Sequence, residues 1–326
     1  MTGAYLDKNY VYAVARIRGA ELKLLNSQAL NELAGAQMPG DVLDILKEKG
    51  WGREEDMTAE ELLKSEREKL WELIDELVPD LSVFDVFKKP NDYHNLKAAI
   101  KESMMDFDYP GIYIDEATID PEVIKNAIKE RNYGELPTEM VEPARLIHDT
   151  FLRTGDGQLC DVMTDRICLE ELIRSGENSG DDFLKEYSIL TAAAANIKVA
   201  LRCARTGKDR EFLEAAVAEC PTLDRNALIN AALQGEDQLA SYLTTTDYVD
   251  AVPELKKDAT AFENYCDNLI IRRMRNQLTE SFGLGPIAAY ILAKESEIKS
   301  VRIIFSGKEN GFSEEMIMER MRETYV

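Results

Sequence analysis

A short motif that occurs three times decides the fold: NLKAAIK at residues 95–101, NIKVALR at 196–202 and EIKSVRI at 297–303. The three copies are equally spaced, on the order of a hundred residues apart, and similarity at a fixed period is the signature of a repeat architecture. Repetition of this kind favours contact surfaces over a single catalytic cleft.

A second motif occurs four times, each time after a copy of the first; the copy that precedes residues 25–30 is a looser one, Arg16-Ile17-Arg18. It consists of an apolar residue, a helix-capping residue, two variable positions and two apolar or small residues. It occurs as LNSQAL at residues 25–30, IDPEVI at 119–124, LDRNAL at 223–228 and FSEEMI at 312–317. The pairing predicts one supersecondary unit used three times, with half-units at the two chain ends. We therefore expect helical modules at residues 1–115, 116–218 and 219–326.

Helix-forming residues with helical periodicity dominate the 326-residue chain, so the sequence predicts an all-α fold. Proline is favoured in the first turn of a helix, and we expect Pro90 and Pro143 to begin helices. Gly207 and Gly307 follow long helical stretches and are predicted to end them as left-handed C-caps. Residues 106–120 are the one strand-like stretch and are predicted to form an extended connector.

The composition excludes several classes of function. The net charge is −22 at pH 7, and because phosphate binding depends on Lys and Arg, we expect no nucleic-acid partner. No stretch approaches the ~20 apolar residues that a membrane span needs, so no direct membrane span is predicted. The chain has five cysteines, which is an odd number, and no two of them have CxxC spacing. This pattern predicts reduced thiols in the core of a cytosolic protein.

Residues suited to catalysis or metal binding are scarce. His94 and His148 belong to no HExxH or zinc-type spacing, and a packing or capping role is predicted for His94. The strings TGK at 206–208 and SGK at 306–308 match half of a phosphate loop, but an acidic residue follows each lysine. The sequence predicts no catalytic residue, no cofactor and no metal site.

Lys97, Lys198 and Lys299 occupy the same position in the three copies of the first motif. Three equivalent lysines could line a common inner surface and meet the acidic side chains of a partner. The alternative is that each lysine covers a neighbouring helix with its aliphatic stem and keeps its charge in water. Both interpretations stay open from the residues alone.

The C-terminal stretches are AYILAKESEIKSVRII at 289–304 and SEEMIMERMRETYV at 313–326. In these stretches most specifically, the chain resembles the C-subunit family of archaeal/vacuolar-type (A/V-type) ATPases and ATP synthases, whose eukaryotic vacuolar members are called d subunits. The opening helix YVYAVARIRGAELKLL at 10–25 and the two earlier repeats match as well, so the resemblance spans essentially the whole chain. The loops SGENSGDD and GLGP depart from it.

The resemblance implies an accessory, non-catalytic rotor component of a rotary ATPase or ATP synthase. Members of the family are all-helical, with three similar modules around a pseudo-threefold axis that form a funnel with a central cavity. The implied partners are the membrane proteolipid ring, of c or K type, and the central-stalk shaft proteins, of D and F type. The funnel would transmit torque between ATP hydrolysis or synthesis and the translocation of protons or sodium ions. The implied location is the cytoplasmic face of the membrane, where the rotor ring holds the protein peripherally.

Two other functions remain open at this point. A generic helical-repeat scaffold that binds soluble proteins would share the repeats, but it would form an extended array with capping end units. An enzyme built on helical bundles would need a polar constellation in its core, for which the sequence offers few residues.

Overall fold

The computed structural model describes residues 3–54, 56–104, 111–257 and 259–326. The described part of the chain is helical and contains no β-strand, which confirms the all-α prediction. The α-helices are α1 Gly3–Glu21, α2 Ser27–Gly35, α3 Pro39–Glu48, α4 Ala59–Leu77, α5 Asp85–Glu102, α6 Pro121–Lys129, α7 Thr138–Thr154, α8 Gly157–Asn178, α9 Asp182–Thr206, α10 Arg210–Ala216, α11 Arg225–Leu233, α12 Glu236–Leu243, α13 Val252–Lys257, α14 Ala259–Arg275, α15 Gly285–Glu309 and α16 Glu314–Met318. Short 3₁₀ turns lie at Leu81–Phe84, Tyr133–Glu135, Val249–Ala251 and Asn276–Thr279.

The chain divides into two compact units. Unit 1 comprises residues 1–81, 181–183 and 254–326, so it contains both ends of the chain. Unit 2 comprises residues 82–180 and 184–253. The boundaries of the three modules, the pseudo-threefold axis and the funnel stay predictions.

Helix α15 lies at the centre of unit 1. It contacts α1, α2, α3, α4, α14 and α16, and 16 of its 25 residues are buried, so it is surrounded rather than amphipathic. Its apolar residues Val301 and Ile304 pack in one cluster with Leu33, Leu46 and Leu62 from α2, α3 and α4. Elements from the beginning and the end of the sequence therefore share one hydrophobic core.

In unit 2, α5 contacts α6, α7 and α8, and α8 also contacts α10. The core between these helices includes Leu96 from α5, Ile124 from α6, Ile147 from α7 and Cys168 from α8. The first copy of the repeated motif, on α5, thus sits against the helices that follow it in sequence.

The second motif begins a helix at each of its four occurrences, as predicted. In every case the side chain of the capping residue accepts a hydrogen bond from a backbone N–H of the first turn, at 2.8–3.3 Å. The last apolar residue of every copy is buried. The capping residues are Asn26, Asp120, Asp224 and Ser313.

Two expected helix starts are wrong. Pro90 lies inside α5 and Pro143 lies inside α7, in each case five residues after the helix begins. A proline there removes one hydrogen bond to the first turn and disfavours the preceding residue in helical conformation. The first turns nevertheless form because burial of Val86 in α5 and of Met140 in α7 holds them against their units.

Of the two predicted glycine caps, one is confirmed. Gly207 has φ +65° directly after α9, and the N–H of Lys208 reaches the carbonyl of Cys203 at 3.2 Å. The prediction for Gly307 is wrong, because α15 continues to Glu309. A Cβ at Gly307 would lie 2.6 Å from Ile317 Cγ1, so this glycine permits the close approach of α16.

Candidate functional site

The first residue of the repeated motif is a buried side chain that fixes a neighbouring stretch of backbone. Asn95 donates from Nδ2 to the carbonyl of Ile114 and accepts from the Ile114 N–H, both at 2.9 Å. Asn196 makes the same pair of bonds with Ala218, at 2.9 and 2.8 Å. Ile114 precedes the helix cap Asp120 as Ala218 precedes the cap Asp224, so each amide orders the segment that leads into a capped helix.

The third copy has a carboxylate, Glu297, where the others have an amide. A carboxylate only accepts hydrogen bonds. Glu297 accepts one from the N–H of Leu25, at the opposite end of the sequence, and another from Lys294 Nζ at 2.6 Å. The residue equivalent to Lys294 in the second copy is Ala193. The lysine is therefore not part of the repeated pattern, and it is present where the carboxylate replaces the amide.

Lys294 is the centre of a buried charge cluster in unit 1. Its Nζ lies 2.6 Å from Glu297 Oε1 and 2.8 Å from Glu66 Oε2, and 4.2 Å from the centroid of the Trp51 ring. Glu66 also accepts from Lys69 Nζ at 2.7 Å and from the Gly52 N–H at 3.0 Å. We name Lys294, Glu66, Glu297 and Lys69 the buried charge cluster.

Burial and ion pairing oppose each other within the buried charge cluster. Desolvation lowers the pKa of Lys294, but Glu297 and Glu66 outweigh it and the pKa is raised. Desolvation also disfavours ionised Glu66, yet the lysines and the Gly52 N–H hold its pKa below the ordinary value. Burial is deepest at Glu297 and raises its pKa, with Lys294 acting against that shift. The cluster is thus held together by compensated charge, and loss of one member leaves the others uncompensated.

The three lysines of the repeated motif have different surroundings. Lys97 and Lys198 belong to unit 2, and Lys299 belongs to unit 1. Lys97 Nζ lies 2.6 Å from Asp165 Oδ1, with a quarter of the lysine side chain exposed. Lys198 is half-buried on α9. Lys299 Nζ lies 2.9 Å from Asp267 Oδ2, and its side chain is 56 % exposed.

Asp267 binds a second cation that the sequence analysis did not identify. Arg322, from the last residues of the chain, places its Nε 2.8 Å from the same Oδ2 atom, and its side chain is only 10 % exposed. Desolvation acts to raise the pKa of Asp267, but Arg322 and Lys299 outweigh it and the pKa lies below its ordinary value. The partners are 55 residues apart in sequence, so no local signal indicated them.

The last residues of the chain, 319–326, form a strap along α14. The Asn264 side chain donates to the Glu319 carbonyl, and the Asn268 side chain accepts from the Glu323 N–H. Arg272 and Arg275 both bind the Glu323 carboxylate, at 2.6 and 2.8 Å. The strap then ends at α1, where the hydroxyl of Tyr325 donates to Glu21.

Both histidines make structural contacts, as was predicted for His94. His94 Nε2 donates to the carbonyl of Ile112 at 2.9 Å. His148 is buried between Ser103 Oγ, 3.2 Å from Nε2, and the Tyr133 hydroxyl, 3.0 Å from Nδ1. Burial lowers the pKa of His148, and the Arg131 charge lowers it further. A neutral ring that bonds at both nitrogens is a packing element of unit 2.

The pocket next to the buried charge cluster is small. A cavity of about 20 Å³ beside Glu297 and the strap has room for a single water molecule. Among the described residues, no group of three or more His, Cys, Asp or Glu is placed to hold a metal ion. The five cysteines are free and buried, as predicted, and burial raises the pKa of Cys160 to about 11 and that of Cys168 to about 12. Within the described ranges, no helix has the length and apolar character needed to cross a membrane.

Comparison with known proteins finds similarities that extend over nearly the whole chain. The sequence model of the ATP synthase (C/AC39) subunit matches residues 13–320, which include all three copies of the first motif. The C subunit of the V-type sodium ATPase of Enterococcus hirae is 27 % identical over 319 residues, covering 95 % of this chain and 97 % of the relative. The C subunit of the A-type ATP synthase of Methanocaldococcus jannaschii is 25 % identical, covering 92 % of this chain and 82 % of the relative. That of Methanothermobacter thermautotrophicus is also 25 % identical, covering 96 % and 87 %.

Proposed function

The chain belongs to the ATP synthase (C/AC39) subunit family, whose members are accessory and not catalytic, and from this premise we propose that it is the central-rotor adaptor of an A/V-type rotary ATPase. In this role it links the membrane proteolipid ring to the central-stalk shaft and transmits torque between ATP hydrolysis or synthesis and ion translocation. It stays peripheral, on the cytoplasmic face of the membrane, where the ring holds it.

The observation that carries the proposal is the family match across residues 13–320. The names of the relatives place them in V-type and A-type complexes. The match covers 97 % of the Enterococcus relative and 82 % of the Methanocaldococcus one, so it is not a short local similarity. The proposal extends to three modules around a central cavity that receives the foot of the shaft.

The internal bonding suits a part that carries torque. A rotor adaptor must be stiff in torsion, and buried hydrogen bonds between side chains and backbone resist the relative sliding of helices. Asn95, Asn196 and Glu297 supply such bonds at the three equivalent positions. The interior around α15 adds close packing, since Gly307 brings α16 against it.

The test is a pull-down from detergent-solubilised membranes of the native organism with the tagged chain as bait. We expect to recover the proteolipid ring and the central-stalk proteins, identified by mass spectrometry. An unrelated acidic protein with the same tag is the control for charge-driven capture. Recovery of soluble proteins alone, without the ring, would contradict the rotor role and support a generic helical scaffold.

The repeated lysines Lys97, Lys198 and Lys299 are proposed contacts of the shaft. Reversal of all three to glutamate should weaken assembly with the purified central-stalk proteins. Reversal of Lys257, an exposed lysine outside the repeat that pairs with Glu254, is the matched control. Unchanged assembly of the triple variant would remove these lysines from the interface and leave the rotor role itself untouched.

A further inference from the structure

Three partly exposed cations of unit 1, with the largely buried Arg322 beneath them, form a group that we name the cationic patch: Lys299, Arg272, Arg275 and Arg322. Asp267 joins Lys299 to Arg322, and Glu323 joins Arg272 to Arg275. Arg322 and Glu323 are consecutive residues of the strap, so the two ion-pair groups follow one another along it. With four positive and two negative side chains, the patch is locally positive although the whole chain has a net charge of −22.

Lys299 is the member of the patch that can exchange its partner. Its side chain is more than half exposed, so another carboxylate can reach it from solvent. Leaving Asp267 without a cation would be unfavourable, because this carboxylate is largely shielded from water. Arg322 removes that penalty, since it stays bound to the same oxygen atom when Lys299 turns away.

Lys97 lacks this arrangement. Its partner Asp165 is 57 % exposed, and among the described residues no second cation pairs with it. An exposed pair of this type contributes little to stability and belongs to no larger positive surface. The surroundings therefore distinguish Lys299 from Lys97, although both occupy the same position in the repeat.

We propose that the cationic patch docks a carboxylate-rich protein surface, with Lys299 as the exchanging contact and Arg322 as the residue that keeps Asp267 neutralised. The inference rests on the proposed rotor function and identifies the partner surface as acidic side chains of the central-stalk shaft. Charge complementarity supports a protein rather than a lipid surface. An anionic bilayer would repel the acidic chain as a whole, whereas a protein can match a local positive patch.

The experiment measures the dissociation constant of the full chain and the purified central-stalk proteins by calorimetry, at low and at physiological salt. Lys299→Gln should weaken binding about two- to five-fold, the range for one partly exposed charge pair. The matched control Lys257→Gln, at an exposed lysine outside the repeat that pairs with Glu254, should leave the dissociation constant unchanged. Asp267→Asn should strengthen binding by a similar factor, because it frees Lys299 and removes a negative charge from the patch. A purely structural role of Asp267 would not produce such a gain.

The outcomes separate the inference from the function on which it rests. If the wild-type chain does not bind the central-stalk proteins, the proposed function itself fails. If it binds and Lys299→Gln binds no more weakly than Lys257→Gln, the inference is wrong and the rotor role stands. If Lys299→Gln instead reduces binding to phosphatidylglycerol vesicles without changing shaft binding, the surface is for lipid and the inference is overturned. Thermal unfolding of each variant shows whether it is folded. If Asp267→Asn is unfolded, the salt dependence of the dissociation constant tests the inference instead. Lys299→Gln should then lose salt dependence relative to the wild-type chain, and an unchanged salt dependence would contradict the inference.

Discussion

Replacement of Lys294 by methionine tests whether compensated charge holds the buried charge cluster together. Methionine keeps the apolar stem of the side chain, but it removes the positive charge above the Trp51 ring, leaves Glu297 without a cation and removes one of the partners of Glu66. Removing one partner of a buried ion pair typically costs about 3–5 kcal/mol, because the remaining charge is uncompensated. Lys299→Met, which breaks an exposed pair, should cost about 0–1 kcal/mol and is the matched control.

The assay is urea unfolding followed by tryptophan fluorescence. The chain has two tryptophans, Trp51 and Trp71, and both lie in unit 1, so the signal reports on the unit that contains the buried charge cluster. The double variant Lys294→Met with Glu297→Gln provides a rescue. It removes the uncompensated charge but keeps an acceptor for the Leu25 N–H, and Glu66 retains Lys69 and the Gly52 N–H.

We expect the double variant to regain most of the stability that the single variant loses, because apolar replacement of a whole buried pair is often neutral. A Lys294→Met variant no less stable than Lys299→Met would refute the reasoning. A double variant as unstable as the single one would show that lost packing, and not buried charge, is the cause.

Two further predictions concern unit 2. Asn196→Ala should destabilise the protein by about 2–4 kcal/mol, because it leaves the buried N–H and carbonyl of Ala218 without partners. The amide hydrogen of Ala218 should then exchange with solvent faster. An unchanged exchange rate would contradict the hydrogen bonds to Asn196. His148 should titrate below its ordinary pKa of 6.5 in an NMR titration of its ring protons. Because the pKa of His148 is lowered in the folded state, its contribution to stability is present above pH 6.5 and is lost as the pH falls from 6.5 towards the pKa of the folded state. His148→Gln should remove this part of the pH dependence of stability. A His148 ring that titrates at or above pH 6.5 would disprove the prediction.

The sequence predicted those features of the fold that local interactions determine. Capping at Asn26, Asp120, Asp224 and Ser313 depends on residues three positions apart or fewer, and all four helix starts are confirmed. The prolines inside α5 and α7 were mispredicted because burial of the first turn, a tertiary effect, outweighs the local cost. Gly307 was mispredicted for the same reason, since its role is set by a contact with α16.

The candidate site was predictable only in part. The period of the motif identified the positions of Lys97, Lys198 and Lys299, but not what surrounds them. The partners of Lys97 and Lys299, Asp165 and Asp267, lie on helices distant in sequence, and Arg322 comes from the strap. No pattern along one chain indicates such pairs. The exchange of asparagine for glutamate in the third copy was visible, but Glu66, the second carboxylate bound to Lys294, was not.

That exchange has a physical explanation in the position of the third copy. In the first two copies, an amide on a long helix bonds both the N–H and the carbonyl of a connector that follows it in sequence. In the third copy, Glu297 on α15 instead bonds the N–H of Leu25, directly before the cap of α2. A carboxylate suits this one-sided contact because it needs only donors, and Lys294 supplies the second one.

The same motif therefore has the same task in all three copies, which is to order the segment that leads into a capped helix. The third copy performs it between the two ends of the chain, where no covalent connection helps to hold the segment in place. Helix α15 contacts both α2 and α16, the helices that begin with the first and last copies of the second motif, and these two also contact each other. At this junction a buried ion pair provides the stabilisation that the covalent connector provides in the other two copies. We therefore expect mutations in the buried charge cluster to loosen the junction of the chain ends before they affect unit 2.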